Sequence, residues 1–356
     1  MVHASTTHLD LMTAAPFGIS RWTRTAFANY VVELRDGGLV GRGEAAPNPR
    51  YGEARDEGLA LVAELAPQIA DVQGPAGVEA LCDRLAGPGG AGWPALRAGL
   101  SAAAWDLAGK QTGEPVWRML GLKRPSARTS FTVAIGAPED MLAQARAASA
   151  FGTLKVKLGF DGDVELAARL ARELPQTTFR YDANEGWDRE RAAAALEALA
   201  GLGAELVEQP LPAADVEGAA WLRERSPVPL FADEALLSLA DLDVVAAVYD
   251  GVVVKLAKAG GIASAFALMS ACAGRGLRVL LGCMVESSLG IAAGVQLAGL
   301  ADHVDLDGAL LLARDPFAGV SVDGDRLTAS DAPGLGVEPV GPSDAPELGV
   351  APLSPG

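Results

Sequence analysis

Cysteine, histidine and lysine are all scarce in this 356-residue chain, and each scarcity excludes something. The three cysteines, Cys82, Cys272 and Cys283, form no close pair and no metal-type spacing. That excludes a disulfide framework and points to a reducing compartment. Basic residues are outnumbered, 29 against 45 acids, and the net charge of −16 argues against nucleic acid or an anionic membrane as partner. No apolar run reaches the ~18–20 residues that span a bilayer. No basic stretch followed by an apolar run marks a signal peptide, so the expected compartment is the cytoplasm. DGGLVGRGEA at 36–45 holds glycines but opens no βα turn, so it is no dinucleotide fingerprint.

Only six basic residues are lysine: Lys110, Lys123, Lys155, Lys157, Lys255 and Lys258. Arginine carries the ordinary surface charge. Four of the six lysines nevertheless sit in two tight clusters inside apolar, strand-like runs. Lysine is the base whose pKa shifts on burial, and arginine stays charged. The choice of lysine at those points reads as chemistry.

Half the chain is hydrophobic, enough for a large core. From about residue 129, short β-branched runs alternate with alanine-rich helical stretches. The expected strands are 129–133, 153–158, 179–183, 205–209, 229–233, 251–256, 277–282 and 303–307. Segments such as 188–203 have the apolar spacing of a helix packed on one face. Eight such units predict a (β/α)7β barrel of the TIM type. The first 125 residues read as an α+β capping domain, with a hairpin turning at Asp36-Gly37-Gly38 and a helix at 95–113. The barrel is expected over 126–320, a return to the capping domain over 321–340, and a loose tail over 341–356.

One polar or chemically active residue ends each expected strand: Thr132, Lys157, Asp182, Glu208, Asp233, Lys258, Cys283, then Asp305 and Asp307. Successive steps are 25, 25, 26, 25, 25 and 25 residues, then 22 to 24. Barrel strands deliver their C-terminal ends to one mouth, so these side chains should converge. Asp182, Glu208 and Asp233 together would repel unless a cation lies between them. Hard oxygen ligands suit Mg²⁺, with Mn²⁺ as a substitute. Lys155 and Lys157 lie two apart and share a strand face. Neighbouring ammonium groups depress each other's pKa, which would bring a lysine toward the working range of a general base. Lys157 and Lys258, at the second and sixth strands, would face a carbon acid from opposite sides. That layout suits a 1,1-proton transfer, in which one amine removes an α-proton and the other returns one. A metal on the carboxylate stabilises the enediolate charge.

LKVKLG, DANEGW, VEQPLP, ADEA and KLAKAGG, in that order, resemble the enolase superfamily in its muconate-lactonizing-enzyme subgroup. In that superfamily a Lys or His base works with Mg²⁺ on an ene-diolate. The resemblance implies that Lys157 and Lys258 are the acid/base pair, and that Asp182, Glu208 and Asp233 hold Mg²⁺. It implies that Lys155 tunes Lys157 and contacts the substrate carboxylate. AAAWDLAGK at 102–110 is similar to the helix that closes the subgroup's capping domain. PFGISRWTRT at 16–25 and PNPRYGE at 47–53 are similar to capping-domain loops of L-Ala-D/L-Glu epimerases. GCMVESS at 282–288 resembles their seventh-strand end, and DLDG at 305–308 their Asp-x-Asp pair. The implied substrate is a small dipeptide, with Asp305 and Asp307 on its ammonium and Arg24 on an acidic second side chain. Its implied role is the handling of cell-wall peptides. Trp22 and Thr23 depart from the Gly-Ser expected in that loop. Thr132, Cys283 and Met284 are expected among the substrate-binding residues, the last two as pocket wall, with Arg21 as a structural arginine and His303 as a satisfied strand residue. N-acylamino-acid racemisation, o-succinylbenzoate formation and muconate cycloisomerisation use related machinery, and a non-enzymatic binding protein on the same fold is the alternative of another class. A homo-oligomer is compatible with the sequence.

Overall fold

A computed structural model describes residues 1–85 and 92–341. The tail expected over 341–356 therefore lies, from 342 on, outside the described residues. Two long antiparallel strands, His3–Ile19 and Trp22–Asp36, open the chain, and Leu39–Ala45 adds a third. Asp36 pairs with Leu39 across the turn at Gly37, whose φ is +58°. The helices Arg55–Asp71, Gly74–Asp83 and Pro94–Thr112 pack on this sheet. The last ends at Gly113, left-handed at φ +75°, whose N–H returns to the Gly109 carbonyl. Tyr30, Val32, Leu34, Ile69, Leu96 and Leu100 form the core of this part.

The segment 16–25, expected as a loop, is the far end of the first hairpin. Phe17 pairs with Arg24 and Ile19 with Trp22, beyond an irregularity between Met12 and Phe17. Buried and exposed residues alternate along the strand over Leu9–Thr13, and beyond the irregularity the cross-strand pairing itself carries both strands to the turn.

Eight parallel strands follow in sequential order: Phe131–Val133, Thr153–Lys157, Thr178–Asp182, Leu206–Glu208, Leu230–Ala232, Gly251–Lys255, Arg278–Gly282 and His303–Asp305. Lys157, Asp182 and Glu208 stand side by side in register. The ring is joined between first and last strands by the Ser130 N–H on the Val304 carbonyl (3.1 Å) and the Leu306 N–H on Thr129 Oγ1 (2.8 Å). Helices fill all seven connections between the strands, two of them, Leu256–Ala259 and Ile262–Ala273, in the sixth, and several start on polar side-chain caps. Asp188 accepts from the Arg191 N–H, Asp215 from that of Gly218 and Ser287 from that of Leu289. Beneath the mouth, Leu206, Phe231, Val253 and Leu280 fill the barrel interior.

After the barrel, Ser321–Asp323 and Arg326–Thr328 pair as a hairpin that continues onto Ser126–Arg128. The chain then runs back along the helix Pro94–Thr112: the Leu335 N–H donates to Asp106, and Arg42 and Lys110 pair with Glu338. No described helix is long and apolar enough to cross a membrane.

Candidate active site

A cavity of about 430 Å³ lies between the hairpin end and the barrel mouth. Lys155, Lys157, Arg24, Thr132, Cys283, Met284, Asp305, Asp307 and Asp233 all line it. Asp182 and Glu208 lie beneath its floor, fully buried.

Each lysine is placed by its strand. Lys155 Nζ lies 2.9 Å from Asp305 Oδ2, 2.8 Å from Glu208 Oε2 and 3.3 Å from Asp182 Oδ2. Lys157 Nζ donates to Asp182 Oδ2 at 2.5 Å. The expectation that the two amines depress each other fails at Lys155. Burial opposes its charge, but Asp305, Glu208, Asp182 and Asp233 outweigh burial, and its pKa is raised well above normal.

The sixth strand corrects a second expectation. It ends at Lys255, and Lys258 stands in the short helix Leu256–Ala259 that follows. Lys258 does not line the cavity. Its ammonium bonds Asp233 Oδ1 (2.6 Å), the Val253 carbonyl (3.0 Å) and the Asp233 carbonyl, which are acceptors for all three of its protons. Lys255 does line the cavity and donates to Asp233 Oδ2 at 2.7 Å. Counting 25-residue steps points to Lys258, whereas the lysine that ends the strand and lines the cavity is Lys255, because the count assumes repeats of constant length.

The metal expectation meets a mixed picture. Among the described residues, no three side chains able to hold a metal ion are gathered at binding distance. Lysine ammonium groups lie between the carboxylates instead. The carboxylates themselves fit a hard divalent cation. Asp182, Glu208 and Asp233 are 0%, 0% and 2% exposed. Neither oxygen of Glu208 accepts a hydrogen bond: Lys155 is within ion-pair distance of Oε2 but badly angled. Burial, then the charge of Asp182, pushes the Glu208 carboxyl well above its usual range. A fully buried carboxylate with both oxygens free of hydrogen bonds is a donor that suits a hard divalent cation. Asp182 and Asp233 are instead lowered, since the lysines outweigh their burial.

The eighth strand carries Asp305, and Asp307 follows two residues on. Asp305 accepts from Ser130 Oγ (2.5 Å) as well as Lys155, and Asp307 Oδ2 from the Thr132 N–H (2.6 Å). Burial, together with the charge of Asp305, pushes Asp307 up to about 7. Burial raises the Cys283 thiol well above normal, as expected of pocket wall. Among the described residues no carboxylate pairs with Arg24; its guanidinium lies over the Trp22 ring, 4.5 Å from the centroid. His303 sits away from the mouth against Arg180, with Nδ1 at 3.2 Å.

Sequence reasoning missed several cavity residues: Asn29, Tyr51, Asn184 and Glu234, besides Lys255. Lys255 carried a signal, being one of only six lysines and closest to its strand. Asn29 carried none. It is half a hairpin away in sequence, and only the hairpin's fold brings its Nδ2 to the Val285 carbonyl at 3.0 Å.

Residues 1–121 match the family model for the mandelate racemase / muconate lactonizing enzyme N-terminal domain, and residues 140–342 that for the enolase C-terminal domain-like fold. The chain belongs to this family. Among its relatives is an L-Ala-D/L-Glu epimerase of Bacteroides thetaiotaomicron, 33% identical over 90% of this chain and 84% of the relative. An L-Ala-D/L-amino acid epimerase of Pedosphaera parvula is 36% identical over 85% of this chain and 88% of its own. The dipeptide epimerase of Enterococcus faecalis, solved with Mg and the dipeptide L-Leu-L-Tyr, superposes with a TM-score of 0.87 at 28% identity, covering 94% of this chain and 98% of that one. The architecture of a capping domain on a (β/α)7β barrel is thus that of the enolase superfamily.

Proposed function

We propose that this isomerase is a Mg²⁺-dependent dipeptide epimerase, acting at the α-carbon of the C-terminal residue of substrates such as L-Ala-L-Glu. The observation that carries the reading is the pair of lysines at strand ends four apart in an eight-strand ring. Lys157 on the second strand and Lys255 on the sixth stand on opposite sides of one cavity. A carbon acid between them meets an amine on each face. One lysine takes the α-proton, and the other delivers a proton to the opposite face.

Asp182, Glu208 and Asp233 would hold the metal, which supplies Lewis-acid stabilisation of the negative charge that builds on the substrate carboxylate. Mn²⁺ is a reasonable substitute for the same oxygen donors. Lys155, held charged by its acidic neighbours, adds a fixed positive charge beside that carboxylate. Asp305 and Asp307 would receive the dipeptide's ammonium. Its arrival would favour the ionised form of Asp307, which burial now opposes. A substrate without a free amine there leaves that carboxyl unpaired, which speaks against acylamino-acid and muconate substrates. Arg24 would leave Trp22, or reach past it, to meet an acidic second side chain.

The test is incubation of L,L-dipeptides with the Mg²⁺-loaded enzyme in deuterated water. Deuterium should enter the α-position of the second residue only, together with the L,D-epimer. Absence of exchange in every dipeptide of a broad panel refutes the reading.

A further inference from the structure

Among the described residues no side-chain hydrogen bond joins the two capping-domain segments that roof the cavity, 16–25 and 47–53. Both are tied instead to one carboxylate on the barrel. Glu185 Oε2 accepts from Arg21 Nη1 at 2.9 Å, and Glu185 Oε1 from Arg50 Nη2 at 2.6 Å. Oε1 also accepts the Ala213 N–H of the next barrel loop at 2.8 Å. The Glu185 side chain is 9% exposed and lies between two guanidiniums that are 32% and 35% exposed.

The backbone presents this carboxylate at a cost. Asn184 and Glu185 are both left-handed, at φ +44° and +64°, a conformation that disfavours side chains other than glycine. They are held there by the Asn184 N–H on Asp182 Oδ1 (2.9 Å) and the Glu185 N–H on the Gln209 carbonyl (2.9 Å). The same bend turns the Asn184 carbonyl toward the hairpin end, where it accepts from Ser20 Oγ (2.8 Å) and Arg21 Nη1 (2.7 Å). Ser20 fits against two glycines. A Cβ added at Gly159 would stand 2.9 Å from Ser20 Cβ, and one at Gly186 would stand 3.1 Å from it. Arg21 Nη2 completes the seat on Glu234 at 2.8 Å.

We infer that Glu185 is a positioning residue that closes both roof segments over the substrate as one unit. If either segment lifts, the buried carboxylate loses one of its two cations, and its hold on the other segment weakens through the strained turn they share. The segment carrying Trp22 and Arg24 and the segment carrying Tyr51 then seat together or not at all. Only the closed state encloses a ligand, so weakening the latch lowers apparent affinity by the closed fraction and leaves the proton transfers intact. The substrate side of this inference rests on the dipeptide reading above.

The experiment uses the full chain, Glu185→Gln and Arg50→Gln. For L-Ala-L-Glu, both variants should raise KM by roughly 10- to 100-fold, as one lost charge-assisted contact does, with saturated kcat within about threefold of wild type. Limited trypsin digestion without any ligand, read by mass spectrometry, supplies the second measurement. Arg50→Gln should speed cleavage after Arg21 and Arg24, although among the described residues no hydrogen bond joins Arg50 to either. A saturating dipeptide should slow that cleavage in both variants. Wild-type cleavage at Arg21 and Arg24 in Arg50→Gln overturns the shared latch, as does a loss confined to kcat or to melting temperature. If no dipeptide is turned over, the substrate reading falls and the ligand-free digestion still decides the latch.

Discussion

Four lysines meet the acids at the barrel mouth, and their hydrogen bonds separate them. Lys258 spends all three protons on Asp233 and a strand carbonyl, whereas Lys255 faces the cavity. Lys255→Ala should abolish epimerisation while sparing solvent exchange at the α-carbon of one epimer, through Lys157. Lys258→Met should depress exchange of both epimers together and lower stability by roughly 1.5–3 kcal/mol, because it removes one of the two ammonium groups bonded to buried Asp233. Exchange of each epimer in deuterated water and a melt of each variant make the comparison. One-sided exchange in Lys258→Met instead would return the second base to that residue. Arg24 gives a separate test. Arg24→Ala should cut kcat/KM for L-Ala-L-Glu by roughly 30- to 1000-fold, the loss of one desolvated ion pair. It should cost L-Ala-L-Leu much less. Equal losses on the two substrates would remove Arg24 as the specificity residue and direct attention to Trp22, on which it now lies.

The helix Pro94–Thr112 shows how an element depends on a distant side chain. Trp93 enters it at φ +54° with no side-chain cap, and Glu53 caps it instead, accepting the Ala95 N–H at 2.8 Å. Burial, only partly offset by those backbone donors, pushes the Glu53 carboxyl up to about 7. A carboxyl raised in the folded state stabilises fully below its unfolded pKa near ~4.3, and loses that advantage as pH rises through about 7. Glu53→Gln keeps an acceptor and removes the titration. The variant should gain on wild type between pH 5 and 8, by about 3 kcal/mol at most, at ~1.4 kcal/mol per pKa unit. Parallel denaturation curves for the two proteins across that range would show Glu53 to be innocent. Elements of this kind were the most legible part of the chain. The expected strands match the eight observed ones to within two residues at each end, because buried parallel strands are short, β-branched and bounded by helical spacing. The first hairpin was not legible over 3–19, where one face is open to solvent and buried and exposed positions alternate regularly only over Leu9–Thr13.

At the scale of the whole molecule, the barrel carries an electrostatic deficit under its cavity that a divalent ion would relieve. Mg²⁺ at ~100 times its dissociation constant should stabilise the fold by ~2.7 kcal/mol, and chelation should abolish activity until Mg²⁺ or Mn²⁺ is restored. Full activity in a metal-free preparation would exclude the proposed ligands, and a melting temperature indifferent to Mg²⁺ would place the ion elsewhere. The repeat of strand and helix sets the barrel from sequence alone, since local periodicity dictates which residues face inward. It therefore brought Lys155, Lys157, Asp182, Glu208, Asp233, Asp305 and Asp307 together before any coordinates. Which lysine completes the set, and which acids take its charge, depended on where the sixth strand ends and on hydrogen bonds between groups far apart in the chain. The roof over the cavity was likewise undecided, because Arg21 and Arg50 meet Glu185 across 164 and 135 residues. Periodicity reports a residue's neighbours along one element. Contacts between the capping hairpin and the barrel exist only once both have folded and closed the space between them.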